Sequence, residues 1–420
     1  MATPHYTLDT TLPSGHSNSI IALQFSPDGK FLASGSGDGV LMVFSTLTWK
    51  PVKRYLDASP LTALIWHPTF PKTLICGYRS GDIHTINFES HSLIDDPNKV
   101  WTDKMGGPIH CIASGGSGTK VALSYGPDVA VVEQHAISVW TNARNLPEPP
   151  SLPGLDEELP VPTACSLHFI ENEKLLVVTY VDHGIICWDI NSMELKWQIT
   201  PRTCSLASCA VSPDEKVLVV ANLYDGLDWY KIPDRAFSRS VPLHINHNVP
   251  IPVLLVDSGK TLLVGGTSGN AKVLDAHTAE TIQTLDHNPD DLVQALAFCL
   301  KEETGTRYIA TGTSQSFIQI WSATTEATDV KGPQSTETPA PVIPWFIRFQ
   351  RFINMALVVL AFVSVIYLPM IQDIGASSSR VLLRWLAPVA RSVLSRVDSD
   401  AATTLPQDPD FFVPKTVTQV

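Results

Sequence analysis

The 420-residue sequence has no basic run, no CxxC pair, no Asn-x-Ser/Thr acceptor, and no charged stretch leading into an apolar one at its start. Each absence excludes something. Without a basic run, and with 29 Lys and Arg against 41 Asp and Glu, the chain lacks the electrostatic footprint that binds phosphate backbones, so no nucleic acid is expected as a partner. The seven cysteines, odd in number and scattered, read as reduced thiols serving mostly as small core residues. The missing leader and the missing glycosylation acceptor agree with a main domain that folds in the cytosol. GxSxG, HExxH, a P-loop and a GxGxxG that opens a helix are all lacking. No catalytic, cofactor-binding or metal-ligating residue is assigned, and the chain is not expected to be an enzyme.

What the chain does have is turns: 32 prolines and 24 glycines argue for many turns and against long helices. Seven turns close on a basic residue: SPDGK (Lys30), HPTFPK (Lys72), SGGSGTK (Lys120), IENEK (Lys174), SPDEK (Lys216), DSGK (Lys260) and KEETGTR (Arg307). An apolar strand follows each, then a second strand ending at Phe44, Ile86, Trp140, Trp188, Tyr230, Leu274 and Trp321. The step from basic residue to strand end is fourteen residues in six units and twenty in the third, which places an insertion at GPDVAVVE, residues 126–133. Constant internal spacing with variable linkers is the pattern of stacked β-units.

The unit resembles the WD40 repeat over residues 5–324. The first unit matches best, with Gly15-His16, SPDGK and SGSGDG, and the fourth keeps the Trp188-Asp189 pair. The resemblance implies a hydrogen-bonded chain within a blade, for which His16, Ser34 and Asp38 match three members while Phe44 lacks the ring N–H of the fourth. Seven units imply an all-β, seven-bladed propeller. HYTLDTTLP, residues 5–13, precedes the first unit and resembles the outer strand AETIQTLDH of the sixth, residues 279–287. Unit seven has no outer strand of its own, so the N-terminal strand is expected to complete the last blade and remove an open sheet edge.

Two segments interrupt the rhythm. LPEPPSLPGLDEELPVP, residues 146–162, reads either as a solvated connector or as a docking loop for a basic partner. His244 and His247 stand close together, but no third ligand follows at metal-binding spacing. Beyond the propeller, 325–344 reads as a flexible stalk. Residues 352–372 carry no charge over 21 positions, long enough for a single transmembrane helix. Residues 377–397 read as an amphipathic helix with Arg380, Arg384 and Arg391 on one face, or as an exposed tail, and 398–420 as a disordered end. A lipid bilayer is thus an expected partner through 352–372 and 377–397. The expected location is a single-pass endomembrane protein, of the endoplasmic reticulum or nuclear envelope, with its propeller cytosolic.

Three functions stay open: a membrane-anchored scaffold for protein partners, a guanine-nucleotide exchange factor, and a propeller hydrolase or lyase. The second follows from architecture, since a propeller followed by one membrane helix is similar to the Sec12-type exchange factors of vesicle trafficking. For the scaffold, Arg79, Asp182, His183, Tyr224, Asp225, Asn270 and Gln315 are the candidate contacts, all on one propeller face.

Overall fold

The structure, a computed structural model, describes residues 4–88, 99–136, 139–140, 143–151 and 160–324. The chain forms seven antiparallel sheets. Blade 1 has strands Ile20–Phe25, Phe31–Ser36, Val40–Ser45 and Pro51–Leu56, in sequence order from the centre outward. Blades 2, 4, 5 and 6 repeat this order, beginning at Leu61, Ala164, Leu206 and Val253. The innermost strands contact one another in turn, and the last of them, Val293–Lys301, contacts the first, so the ring closes.

The register explains the fourteen-residue step. Leu32 pairs with Phe44, Leu74 with Ile86, Leu176 with Trp188, Leu218 with Tyr230, Leu262 with Leu274, and Ile309 with Trp321. Each pair joins the second residue after a basic turn end to the second strand's apolar end, and every one of these side chains is buried. A one-residue slip would turn both strands' apolar side chains to the wrong face.

Blade 3 corrects the expected insertion. Lys120–Tyr125 pairs directly with Asp128–Ala136 through the two-residue turn Gly126-Pro127. GPDVAVVE is therefore the turn and third strand, not an insertion. A two-residue turn with glycine first is tight enough to close a hairpin, which shortens this blade's loop. Val139–Trp140 and Arg144–Asn145 both pair with that third strand, giving this blade five strands.

The last blade takes its outer strand from the other end of the chain. Thr7–Leu12 pairs with Ile318–Thr324, from Thr7 opposite Ser322 to Leu12 opposite Ile318. Tyr6, 1% exposed, anchors the strand's start: its backbone N–H donates to Gln283 Oε1 at 2.8 Å, and its carbonyl accepts from Gln283 Nε2 at 2.6 Å.

The core is divided among the seams. Seven buried apolar clusters occur among the described residues, each shared by two neighbouring blades. Packing there is small against large: a Cβ on Gly77 would strike Ile109 of the next blade, and one on Gly312 would lie 2.6 Å from Ile20 Cγ2. All seven cysteines are free, four of them buried.

The expected fold class needs correction at its C-terminal end. Among the described residues the only helix is the 3-10 turn Asp257–Gly259, and none is long and apolar enough to cross a membrane. The fold that is seen is a seven-bladed propeller, nearly all β, without the transmembrane and amphipathic helices of the expectation. The segments 325–344, 352–372, 377–397 and 398–420 lie outside the described residues, as do residues 152–159 of the acidic loop.

Candidate functional site

One end of the ring carries the turns between second and third strands together with the connections that lead into each new blade. A repeated hydrogen bond ties the two sets together. The residue just before each first strand offers its carbonyl to an N–H at the end of the second strand: Ser19 to Gly37, Pro60 to Arg79, Pro108 to Gly126, Thr163 to Val181, Ser205 to Leu223, Pro252 to Gly265, and Leu292 to Ser314. These bonds run from 2.8 to 3.0 Å in all seven blades. The loops of this face are thus held on a rigid frame, the usual setting for recognition residues.

A second repeated position lies four residues before the first strand. In blade 1 it is His16, whose Nε2 lies 2.7 Å from Ser34 Oγ, while Nδ1 is 3.6 Å from Asp38 Oδ1, too far for a hydrogen bond. Burial outweighs that nearby carboxylate and holds the His16 pKa below the usual imidazole value. Backbone and hydroxyl donors on Ser17 and Val40 fix the Asp38 carboxylate. The missing ring N–H is supplied elsewhere: in blade 7, Trp321 Nε1 donates to Thr311 Oγ1 at 3.1 Å.

In blade 2 the position is Asp57, 3.1 Å from His84 Nε2. In blade 5 it is Arg202, whose Nε lies 3.2 Å from Asp228 Oδ1 and whose Nη2 lies 2.6 Å from Asp225 Oδ2. Asn222 completes this cluster. Its Nδ2 donates to both carboxylates, and its Oδ1 accepts from the N–H groups of Tyr224, Asp225 and Gly226. His84 and Asp228 each sit twelve residues after their blade's basic turn end, opposite Cys76 and Val220. Three blades therefore close the same corner with three different pairs. This spacing was present in the sequence, but an imidazole, a carboxylate and a guanidinium at one position share no residue type by which to recognise it.

The seven candidate contacts occupy this face but differ in availability. Arg79, Tyr224 and Gln315 are exposed, Tyr224 to 78%. The carboxylate of Asp182 accepts from Ser205 Oγ at 3.2 Å, and Asp225 is held by Arg202, which pulls its pKa below the usual carboxylate value. His183 is 6% exposed beside Tyr180, and burial lowers its pKa. Asn270 donates to Ser268 and borders a cavity of about 240 Å³. Sequence reasoning missed three exposed apolar residues at this end of the ring, Leu56, Val161 and Phe317. No periodicity marks such positions.

Charge is handled locally. Among the described residues, no group of three or more His, Cys, Asp or Glu is placed to share a metal ion. His244 and His247 are both exposed.

Residues 6–45 match the WD40 family described as WD domain, G-beta repeat. The matched span begins with the strand that completes blade 7 and ends with the third strand of blade 1. The repeat in sequence is therefore offset by one strand from the blade in space, the offset that lets the first strand close the ring. The match is to the repeat and extends to no exchange factor. No curated protein matches the chain.

Proposed function

We propose that this WD40-like propeller is a protein-interaction scaffold that takes its partners on the loop-bearing face. The observation that carries this is Tyr224. A large aromatic side chain, 78% exposed, stands on a turn whose three successive N–H groups are held by Asn222. An aromatic anchor on a preorganised turn loses little entropy on binding, which is the property of an interface hot spot. Arg79, exposed on the equivalent turn of blade 2, adds a long donor that can reach a partner's carboxylate or carbonyl.

The test is proximity labelling from the full-length chain in cells, compared with the Arg79→Ala/Tyr224→Ala double variant. The expected outcome is loss of a defined set of protein neighbours at unchanged protein level. An identical set in both would sink the proposal.

A further inference from the structure

Blade 6 departs from the paired corner of blades 1, 2 and 5, and the departure has a chemical consequence. Its residue twelve after the basic turn end is Lys272, opposite Val264, in the register of His84 and Asp228. The connection that leads into its first strand, residues 243–252, holds no acid to match Asp57 of blade 2. The cation is present and that connection brings it no carboxylate. Among the described residues the Lys272 ammonium makes no hydrogen bond and no ion pair, although the residue is only partly exposed.

Lys272 lines the cavity of about 240 Å³ on the loop-bearing face. The other walls are Leu243, His244 and Ile251 from the connection between blades 5 and 6, and Thr267 and Asn270 from the turn of blade 6. The wall glycines allow no lining side chain: a Cβ on Gly265 would lie 2.6 Å from Pro252 Cδ, and one on Gly266 would strike the Asn270 carbonyl. Thr267 Oγ1 already accepts from Asn246 N–H at 2.9 Å, which fixes the hydroxyl toward the connection. A half-buried ammonium with three donors, a hydroxyl and an amide beside it, in a space of this size, matches one carboxylate with its short apolar stem.

We infer that this cavity is a socket for an acidic side chain, Asp or Glu, presented by a protein partner. The incoming carboxylate completes in trans the corner that blades 2 and 5 complete with their own residues. The socket rests on the loop-face proposal above and adds the chemistry of the partner. Residues 1–342 carry 22 Lys and Arg against 36 Asp and Glu, so the propeller as a whole repels an acidic peptide. Binding of such a peptide has to come from a local cation site, which makes it diagnostic.

The experiment uses the full-length chain and fluorescein-labelled hexaglutamate, read by anisotropy at fixed ionic strength. Hexaglutamate is expected to bind wild type, to bind Lys272→Arg comparably, and to bind Lys272→Met at least tenfold more weakly. Lys260→Met, changed on the opposite end of the ring, should leave binding unaltered. Hexaglutamine should not compete. Unchanged binding in Lys272→Met overturns the socket, and so does displacement by inorganic phosphate at matched concentration of charge, which would mark a free-anion site. Partner labelling in Lys272→Met separates the two proposals. If Lys272→Met keeps every partner that Arg79→Ala/Tyr224→Ala loses, the socket falls and the loop face stands.

Discussion

At the scale of single residues, the propeller settles similar polar problems with dissimilar chemistry. His16, Asp57 and Arg202 share a position and have no charge state in common, yet each is met by a residue of matching character. Asp228 is the most demanding case, because its side chain is 1% exposed and its counter-ion comes from a loop. Arg202→Ala is expected to lower the urea midpoint, and adding Asp228→Asn should recover part of the loss by removing the unpaired buried charge. A double variant no more stable than Arg202→Ala would show that the pair does not carry the effect. His287 gives the pH dependence. Burial holds its pKa at about 4, against an ordinary value near 6.5. Between those values the unfolded chain takes up a proton that the folded chain does not, so stability falls as the pH drops from about 6.5 to 4 and levels off below that. His16, His110, His168 and His183 are shifted in the same direction by burial. Comparing urea midpoints at pH 7 and pH 5, His287→Gln should show a smaller acid-induced loss than wild type.

At the scale of the element, the unit is a hairpin held in register plus a turn that reaches its neighbour. The residue before the closing lysine is glycine with positive φ in blades 1 and 6, but Glu173 (φ 63°) and Glu215 (φ 57°) in blades 4 and 5. Those two side chains face the preceding blade. Glu173 accepts from Ser117 N–H at 2.5 Å and Ser117 Oγ at 2.7 Å, and Glu215 accepts from Glu171 N–H at 2.9 Å. A left-handed backbone costs a non-glycine residue about 1 kcal/mol, and the clasp offsets that cost. Glu173→Ala, which keeps the strain and loses both bonds, should destabilise by about 1–2 kcal/mol. Glu173→Gly should be the milder change by roughly 1 kcal/mol, because the strain is relieved. Equal effects in chemical denaturation would remove the clasp as an explanation. The sequence showed the turns and their lysines plainly. That two glutamates stood in a glycine's conformation was not legible, since glutamate is unremarkable in a polar turn.

At the scale of the whole molecule, stability lies in seven seams. Each blade contributes to the clusters on its two sides, so a local overpacking is felt across a seam. Gly312→Ala places a methyl near the β-branched Ile20 Cγ2 and Cβ, which cannot rotate away, and should cost about 1–3 kcal/mol. Gly35→Ala meets the ends of the Leu61 side chain, which can change rotamer, and should cost less in the same thermal scan. Closure is tested by deletion. Removing residues 1–12 takes away Tyr6 and the outer strand of blade 7, exposing Ile318–Thr324 as an unpaired edge. The expected result is a lower melting temperature and self-association through that edge. Thermal stability equal to the intact chain would contradict closure by this strand.

Six of the seven hairpins were determined by sequence alone, because a buried apolar pair twelve residues apart can be satisfied in only one strand register. The ring and its closing strand followed from counting those hairpins and finding the one left without an outer edge. Blade 3 escaped, since Gly126-Pro127 reads equally as an insertion or as a tight turn until Asp128 is seen opposite Tyr125. Which polar side chains are available and which are spent was decided only in three dimensions. Arg202 reaches Asp225 and Asp228 across more than twenty residues of chain, and Lys272 is left without the acid its register calls for. Ion pairing depends on distance in space, to which spacing along a repeat is blind wherever the connecting loops change length.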